Sequence, residues 1–75
     1  MRTLGTVDKG KNVKIVRIGA GTGLLGKLNS MGIYVGDRIK VINNAGGPVI
    51  ISRDNMRLAI GRGMSQQIYV AEEEE

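Results

Sequence analysis

Cysteine and histidine are both absent from this chain of 75 residues, and so are phenylalanine and tryptophan. Without cysteine or histidine the chain cannot form a disulfide, a thiolate or imidazole zinc site, or a nucleophilic site of the Cys/His or Ser/His/Asp type. Such a composition suits a reducing compartment, so we predict a cytoplasmic location. Without Phe or Trp, the core must be filled by Val, Ile, Leu and Met.

Long apolar runs are also lacking. The N-terminus MRTLGTVDKG has no apolar segment of the kind found in signal peptides, and runs such as VII at 49–51 are short. A membrane-spanning helix needs roughly 20 apolar residues. The sequence therefore predicts neither export nor membrane insertion, and its length leaves room for one domain with a small core.

Acidic residues are few and unevenly placed. The chain has eleven basic and seven acidic residues, a net charge of +4, and four of the seven acidic residues are the terminal run 72–75. Without that run, eleven basic and three acidic residues give a net charge of +8. We expect residues 1–71 to form a single domain, followed at 72–75 by a solvated, disordered acidic tail. The alternative is that this tail screens the basic body and discourages promiscuous binding of polyanions.

Short alternating segments separated by turn-forming residues dominate the chain, which predicts five to six strands. In VKIVRI, the alternation changes phase between Ile15 and Val16, which indicates a bulge. Asp54 and Asn55 fit a two-residue hairpin turn. The later segment GRGMSQQ breaks the strand pattern and suggests a short helical turn before the last strand.

One longer segment has helical rather than alternating spacing. Its apolar residues are Leu24, Leu25, Leu28 and Met31. They predict a helix at about residues 22–31, which ends at Gly32 because glycine adopts a left-handed conformation without steric cost. The whole pattern predicts a mainly β fold, a small closed antiparallel barrel with this one helix inserted.

The segment GTGLLGKL at 21–28 resembles a phosphate-binding loop. It matches G-x-G-x-x-G, and it matches G-x-x-x-x-G-K-[ST] except that Leu28 replaces the hydroxyl residue that binds Mg²⁺. A dinucleotide site also needs a parallel α/β sheet and an acidic residue about 20 positions later, but residues 41–44 are all uncharged. We interpret the glycines as a tight turn into the helix.

Catalytic and metal-binding patterns are not found. Outside the terminal run the only acidic residues are Asp8, Asp37 and Asp54, each isolated among turn-forming residues. Such aspartates usually accept hydrogen bonds from nearby backbone amides. General acid/base catalysis needs two groups in one pocket. We therefore predict a protein that is not an enzyme, with no catalytic, cofactor-binding or metal-binding residues.

A basic barrel could bind nucleic acid through its charge. Barrels that bind single strands also stack bases on aromatic side chains, and this chain has only Tyr34 and Tyr69, in separate segments. Nucleic-acid binding is therefore the alternative, and not the leading, interpretation.

The segment KLNSMGIYVGDRIKVI at 27–42 resembles the signature of the FeoA family. The resemblance rests on Lys27, Leu28, Met31, Gly32, Ile33, Gly36, Ile39 and Val41. The opening LGTVDKGKNVKIVRI, the segment GGPVII and the closing RLAIGRGMSQQIYV extend it over nearly the whole chain. Two positions depart from the family pattern: Val35 stands where proline is common, and Lys27 where arginine is usual. Lysine cannot make the bidentate contacts of arginine.

The resemblance implies an SH3-like barrel and a small cytoplasmic component of bacterial ferrous iron uptake, whose partner is the FeoB transporter with its cytosolic GTPase part. Because the chain has no His or Cys, we expect it to act by contact rather than by carrying iron. The apolar residues of the helix exceed what one face can bury, so the predicted partner residues are Leu24, Leu25, Lys27 and Tyr34.

Two further interpretations stay open. The same fold ends some metal-dependent repressors, so the chain could be an isolated domain of that type. A homodimer that pairs edge strands is also compatible with a small barrel.

Overall fold

Six short strands form the framework of the computed structural model, which describes residues 2–19 and 23–73. The strands are β1 Arg2–Thr3, β2 Asn12–Ile18, β3 Arg38–Asn43, β4 Val49–Arg53, β5 Met56–Ile60 and β6 Ile68–Glu72. Helix α1 spans Leu24–Ser30, helix α2 spans Arg62–Ser65, and a 3₁₀ turn covers Leu4–Thr6.

The strands form one antiparallel sheet in the order β1-β6-β2-β3-β4-β5. The register between β2 and β6 shifts between Ile15 and Arg17, which leaves Val16 as the extra residue. This confirms the predicted bulge. Asp54 and Asn55 connect the paired residues Arg53 and Met56, as the turn prediction required. Asp54 adopts a φ of 53°, a left-handed conformation that Asp tolerates better than most residues.

A single apolar core fills the space inside the sheet. It takes inward side chains from β2 to β6 and adds residues from the 3₁₀ turn, α1 and the loop after α1. Its buried members are Leu4, Val7, Val13, Ile15, Leu24, Leu28, Ile33, Ile39, Val41, Val49, Ile51, Ile60, Ile68 and Val70. The alternating apolar pattern thus encodes a sheet with one face inside, and the predicted SH3-like barrel is confirmed.

The two edges of the sheet are joined by side chains rather than by strand pairing. Among the described residues, β1 pairs only with β6 and β5 only with β4. Arg62, at the start of α2, donates hydrogen bonds to the carbonyl oxygens of Gly5 (3.0 Å) and Gly47 (2.7 Å) and to Asn44 Oδ1. Asn44 Nδ2 donates in turn to Gly5 O and Val7 O. Polar contacts of α2 therefore link the two edges of the sheet along this seam.

Two boundaries differ from the prediction. The helix expected at 22–31 begins at Leu24 and ends at Ser30, and positions 21 and 22 lie outside the described residues. Strand β6 includes Glu72, and the Glu73 amide donates to Asn12 O at 2.9 Å. The ordered domain therefore extends past 71, because backbone pairing and the ion pair of Glu72 with Arg2 hold the first two glutamates. Residues 74 and 75 lie outside the described residues.

Candidate functional site

A cleft of about 310 Å³ lies between helices α1 and α2. Helix α1 and the residue before it contribute Gly23, Leu24 and Lys27, while α2 and the residues near it contribute Gly63, Met64 and Gln67. The cleft therefore joins two of the sequence-predicted partner residues, Leu24 and Lys27, to a segment that is distant in sequence.

Local backbone geometry places the α1 side of the cleft. Gly23 has a φ of 78°, a conformation that favours glycine, and its carbonyl accepts the Lys27 amide at 2.9 Å. Leu28 follows Leu24 by four positions, so both lie on the buried face, and Lys27 lies on the exposed one. The turn interpretation of the glycines is confirmed at Gly23.

Hydrogen bonds of backbone amides and of one hydroxyl group position the α2 side of the cleft. The Ser65 amide donates to Gly61 O at 2.9 Å, and the buried Ser65 hydroxyl donates to Arg62 O at 2.7 Å. The Gln67 amide donates to Met64 O at 3.0 Å, so the chain turns directly from α2 into β6. Met64 is partly buried against the core and presents the rest of its side chain to the cleft.

The four predicted partner residues fall into two groups. Leu24 is only 7% exposed and belongs to the core, so it forms the base of the cleft and not an outer contact. Lys27 is exposed at the rim. Leu25 and Tyr34 are each 49% exposed and lie outside the cleft lining.

The loop that carries Tyr34 is held by hydrogen bonds. The Tyr34 amide donates to Asp37 Oδ2 at 2.8 Å, and the same oxygen lies 3.0 Å from Arg53 Nε. The Gly36 amide donates to Ile15 O at 2.7 Å. Tyr34 and its neighbour Val35, which is 52% exposed, are therefore apolar surface on an anchored loop. The interpretation of Asp37 as a turn aspartate is confirmed.

The chemistry of the cleft is that of a binding surface. Among the described residues, its lining combines apolar side chains, one ammonium group and one amide, and includes no carboxylate. Within residues 2–19 and 23–73, no three His, Cys, Asp or Glu side chains lie close enough together to hold a metal ion.

Four of the lining residues, Gly23, Gly63, Met64 and Gln67, were not among the partner residues predicted from the sequence. The available signal was Met64, the one apolar side chain within the polar segment GRGMSQQ. That signal identifies a packing residue, but only the fold brings it opposite α1.

Comparisons with known proteins agree with the architecture. "Putative Fe(2+) transport protein A" of Methanocaldococcus jannaschii is 43% identical over 74 residues, which cover 99% of this chain and 90% of that protein. The crystal structure of an iron uptake regulatory protein, FeoA, is similar with a TM-score of 0.83 and 34% identity, over 95% of each chain. The manganese regulator SloR matches 96% of this chain with 34% of its own, at a TM-score of 0.86 and 20% identity, which shows a shared fold alone.

Within the described part of the chain, neither helix has the length and apolar character needed to cross a bilayer. The family model of the FeoA domain matches residues 2–72, nearly the whole chain. The order of the strands, the inserted helix and these similarities agree with the resemblance seen in the sequence. The chain belongs to the FeoA family.

Proposed function

We propose that this chain is a cytoplasmic accessory protein of ferrous iron uptake that acts, without catalysis, by contact with the cytosolic GTPase part of an FeoB-type transporter. Family membership and the 43% identical relative named for Fe(2+) transport support the pathway. The absence of His and Cys from the sequence favours contact over iron carriage.

We propose the cleft between α1 and α2 as the site of contact with the transporter. It offers a concave, partly apolar surface with Lys27 at its rim, which suits an apolar anchor residue flanked by a carboxylate on the partner. Leu25 extends the apolar area of α1 beyond the cleft. Full burial of a leucine is worth about 1.5–3 kcal/mol, so covering the half-exposed Leu25 would supply about 1 kcal/mol.

Binding of the transporter's isolated GTPase domain to the full chain, followed by calorimetry, tests this site. Lys27→Glu reverses the charge at the rim, and we expect it to weaken binding at least about fivefold, the equivalent of about 1 kcal/mol. Leu25→Ser should weaken binding by a similar factor and leave the fold intact, because Leu25 is half exposed. Leu24→Asp is unsuitable, since it would place a charge in the core.

Lys9→Glu is the matched control. It makes the same charge change in a turn that precedes β2, whereas α1 follows β2, and the seven residues of that strand span roughly 20 Å. We expect it to change affinity less than twofold. If Lys27→Glu and Lys9→Glu lower the affinity equally, the change in net charge alone explains the loss. The α1–α2 cleft would then be refuted as the contact site.

We also propose that the edge of β5 supports a homodimer. The pair Arg53 and Met56 closes a two-residue turn, so the amides of 56, 58 and 60 face β4, and those of Arg57 and Ala59 face outward. Two copies in antiparallel register would place Arg57 opposite Ala59, which avoids like charges in direct opposition.

Ala59→Pro tests the dimer by sedimentation. It deletes an amide that points away from β4, so the circular dichroism spectrum should be kept while any concentration-dependent dimer is lost. A parent chain that stays monomeric at high concentration, or a proline variant that still dimerises, would refute this edge.

A further inference from the structure

A row of polar side chains crosses the outer face of the sheet, away from the α1–α2 cleft. The register pairs Asn12 with Lys40, Lys40 with Ser52, and Ser52 with Arg57, across strands β2 to β5. At the other end of the row, the Glu73 amide donates to Asn12 O at 2.9 Å. Glu73 therefore lies beside β2, in line with two basic side chains.

The next row on this face places like charges in direct opposition. Lys14 of β2 is paired with Arg38 of β3, and both are exposed. Like charges directly opposite each other on neighbouring strands are unfavourable. Arg38 turns toward Glu73, with Arg38 Nε and Glu73 Oε1 3.2 Å apart. The four basic side chains of these two rows outnumber the two carboxylates beside them, those of Asp54 and Glu73.

These rows border a cleft of about 400 Å³. Its lining includes Arg38, Lys40, Ser52, Asp54 and Glu73. Arg38 and Lys40 are two residues apart on β3, so their side chains leave the same face about 7 Å apart along the strand. That separation equals the distance between alternate side chains of an extended peptide.

We propose that this cleft, hereafter the β-face cleft, binds an extended acidic protein segment with carboxylates at alternate positions, one on Arg38 and the next on Lys40. Glu73, the residue after β6, shows the mode of recognition, since its carboxylate meets the Arg38 guanidinium. Glu73 competes with the partner for the same guanidinium.

The side chains of this face favour an acidic peptide over nucleic acid. Single-stranded nucleic acid needs aromatic rings on which bases stack. Tyr69 already has the Arg17 guanidinium over its ring, 5.3 Å from the centroid, and Tyr34 lies in the loop before β3. Carboxylates need only the basic groups and hydrogen-bond donors that the β-face cleft supplies.

The ion pair between Arg38 and Glu73 is weak enough to be exchanged. The Arg38 side chain is 76% exposed, and exposed pairs contribute little to stability. A partner carboxylate can therefore replace Glu73 at a small cost. Removing the Glu73 charge should raise affinity for an acidic peptide by up to about fivefold, which corresponds to about 1 kcal/mol.

The test measures binding of a fluorescent heptapeptide of alternating serine and glutamate to the full chain at low and high salt. We expect Glu73→Gln to bind it more tightly, and the double variant R38Q/K40Q to bind it at least about tenfold more weakly. The matched control is K9Q/R17Q, which removes one lysine and one arginine outside the lining of either cleft and should weaken binding less than threefold.

Three results would overturn the proposal: no binding even at low salt, equal losses in the double variant and its control, or no gain in Glu73→Gln. Tighter binding of a single-stranded oligonucleotide, with the same dependence on Arg38 and Lys40, would also overturn it and would assign the face to nucleic acid. Because the probe is a peptide and the variants lie outside the α1–α2 cleft, this test is independent of the transporter contact.

Discussion

Replacing Arg62 with methionine should open the seam between the two edges of the sheet. Arg62 donates to Gly5 O, Gly47 O and Asn44 Oδ1. The free energy lost is smaller than the sum over the four hydrogen bonds of Arg62, two of which go to Gly47 O. Gly5 O keeps the Asn44 Nδ2 donor at 3.0 Å, and Gly47 is exposed to water. Asn44 Oδ1 is the acceptor that loses most.

We therefore expect Arg62→Met to lower the free energy of unfolding by about 1.5–3 kcal/mol, the value of one hydrogen bond to a charged group. For a domain of this size the Tm should fall by roughly 6–24 °C. Urea denaturation and thermal melts followed by circular dichroism measure both quantities.

The conservative and control variants sharpen this test. Arg62→Lys keeps the charge but reaches fewer acceptors, so its stability should lie between those of the parent and the methionine variant. Arg57→Met, at an exposed position, should change stability by less than about 0.5 kcal/mol. The reasoning fails if Arg62→Met stays within about 0.5 kcal/mol of the parent, or if Arg62→Lys is fully equivalent to it.

Three further changes have expected outcomes in urea denaturation. Gly26→Ala should raise the free energy of unfolding by about 0.5–1 kcal/mol, because the added Cβ meets no atom within 4 Å and alanine favours the helix. A decrease would mean that the surface at Gly26 has no room for a Cβ. Gly32→Ala should lower it by about 1–2 kcal/mol, since Gly32 has a φ of +82°, and an unchanged midpoint would be inconsistent with that conformation. Leu28→Ala should cost about 2–5 kcal/mol but Leu25→Ala under about 0.5 kcal/mol; similar costs would mean that the buried face of α1 is misassigned.

Local pattern was sufficient for the strands, the bulge and the end of α1. The phase change between Ile15 and Val16 locates the bulge because side chains alternate strictly along a strand, so an extra residue reverses the pattern. Gly32 ends the helix because its φ of +82° is costly for other residues. Both features depend on neighbours in sequence, which is why the sequence is enough to predict them.

Contacts between distant segments were not predictable in the same way. The seam depends on hydrogen bonds of Arg62 and Asn44. The partners of Arg62 lie 15 to 57 residues away in sequence, and those of Asn44 lie 37 or 39 residues away. A polar side chain in a turn gives no sign of which carbonyl it will reach. The positions of Glu72 and Glu73 likewise depend on distant segments. Their backbones lie against β2, and their side chains form ion pairs with Arg2 and Arg38.

The candidate site combines both kinds of information. Helical spacing correctly identified an apolar stripe larger than one buried face, and Leu25 is its exposed part. Helical spacing alone could not predict that Leu24 is buried while Leu25 is exposed, since that depends on the direction in which α1 leaves Gly23. Met64 and Gln67 join the site only because α2 packs beside α1.

Mapping of amide chemical shifts tests the proposed transporter contact most directly. The isotope-labelled chain would be titrated with the GTPase domain of an FeoB-type transporter. The account predicts shifts concentrated at Gly23, Lys27, Gly63 and Gln67, the residues around the α1–α2 cleft. No shifts at saturating partner, or shifts confined to the outer face of β2 to β4, would contradict it.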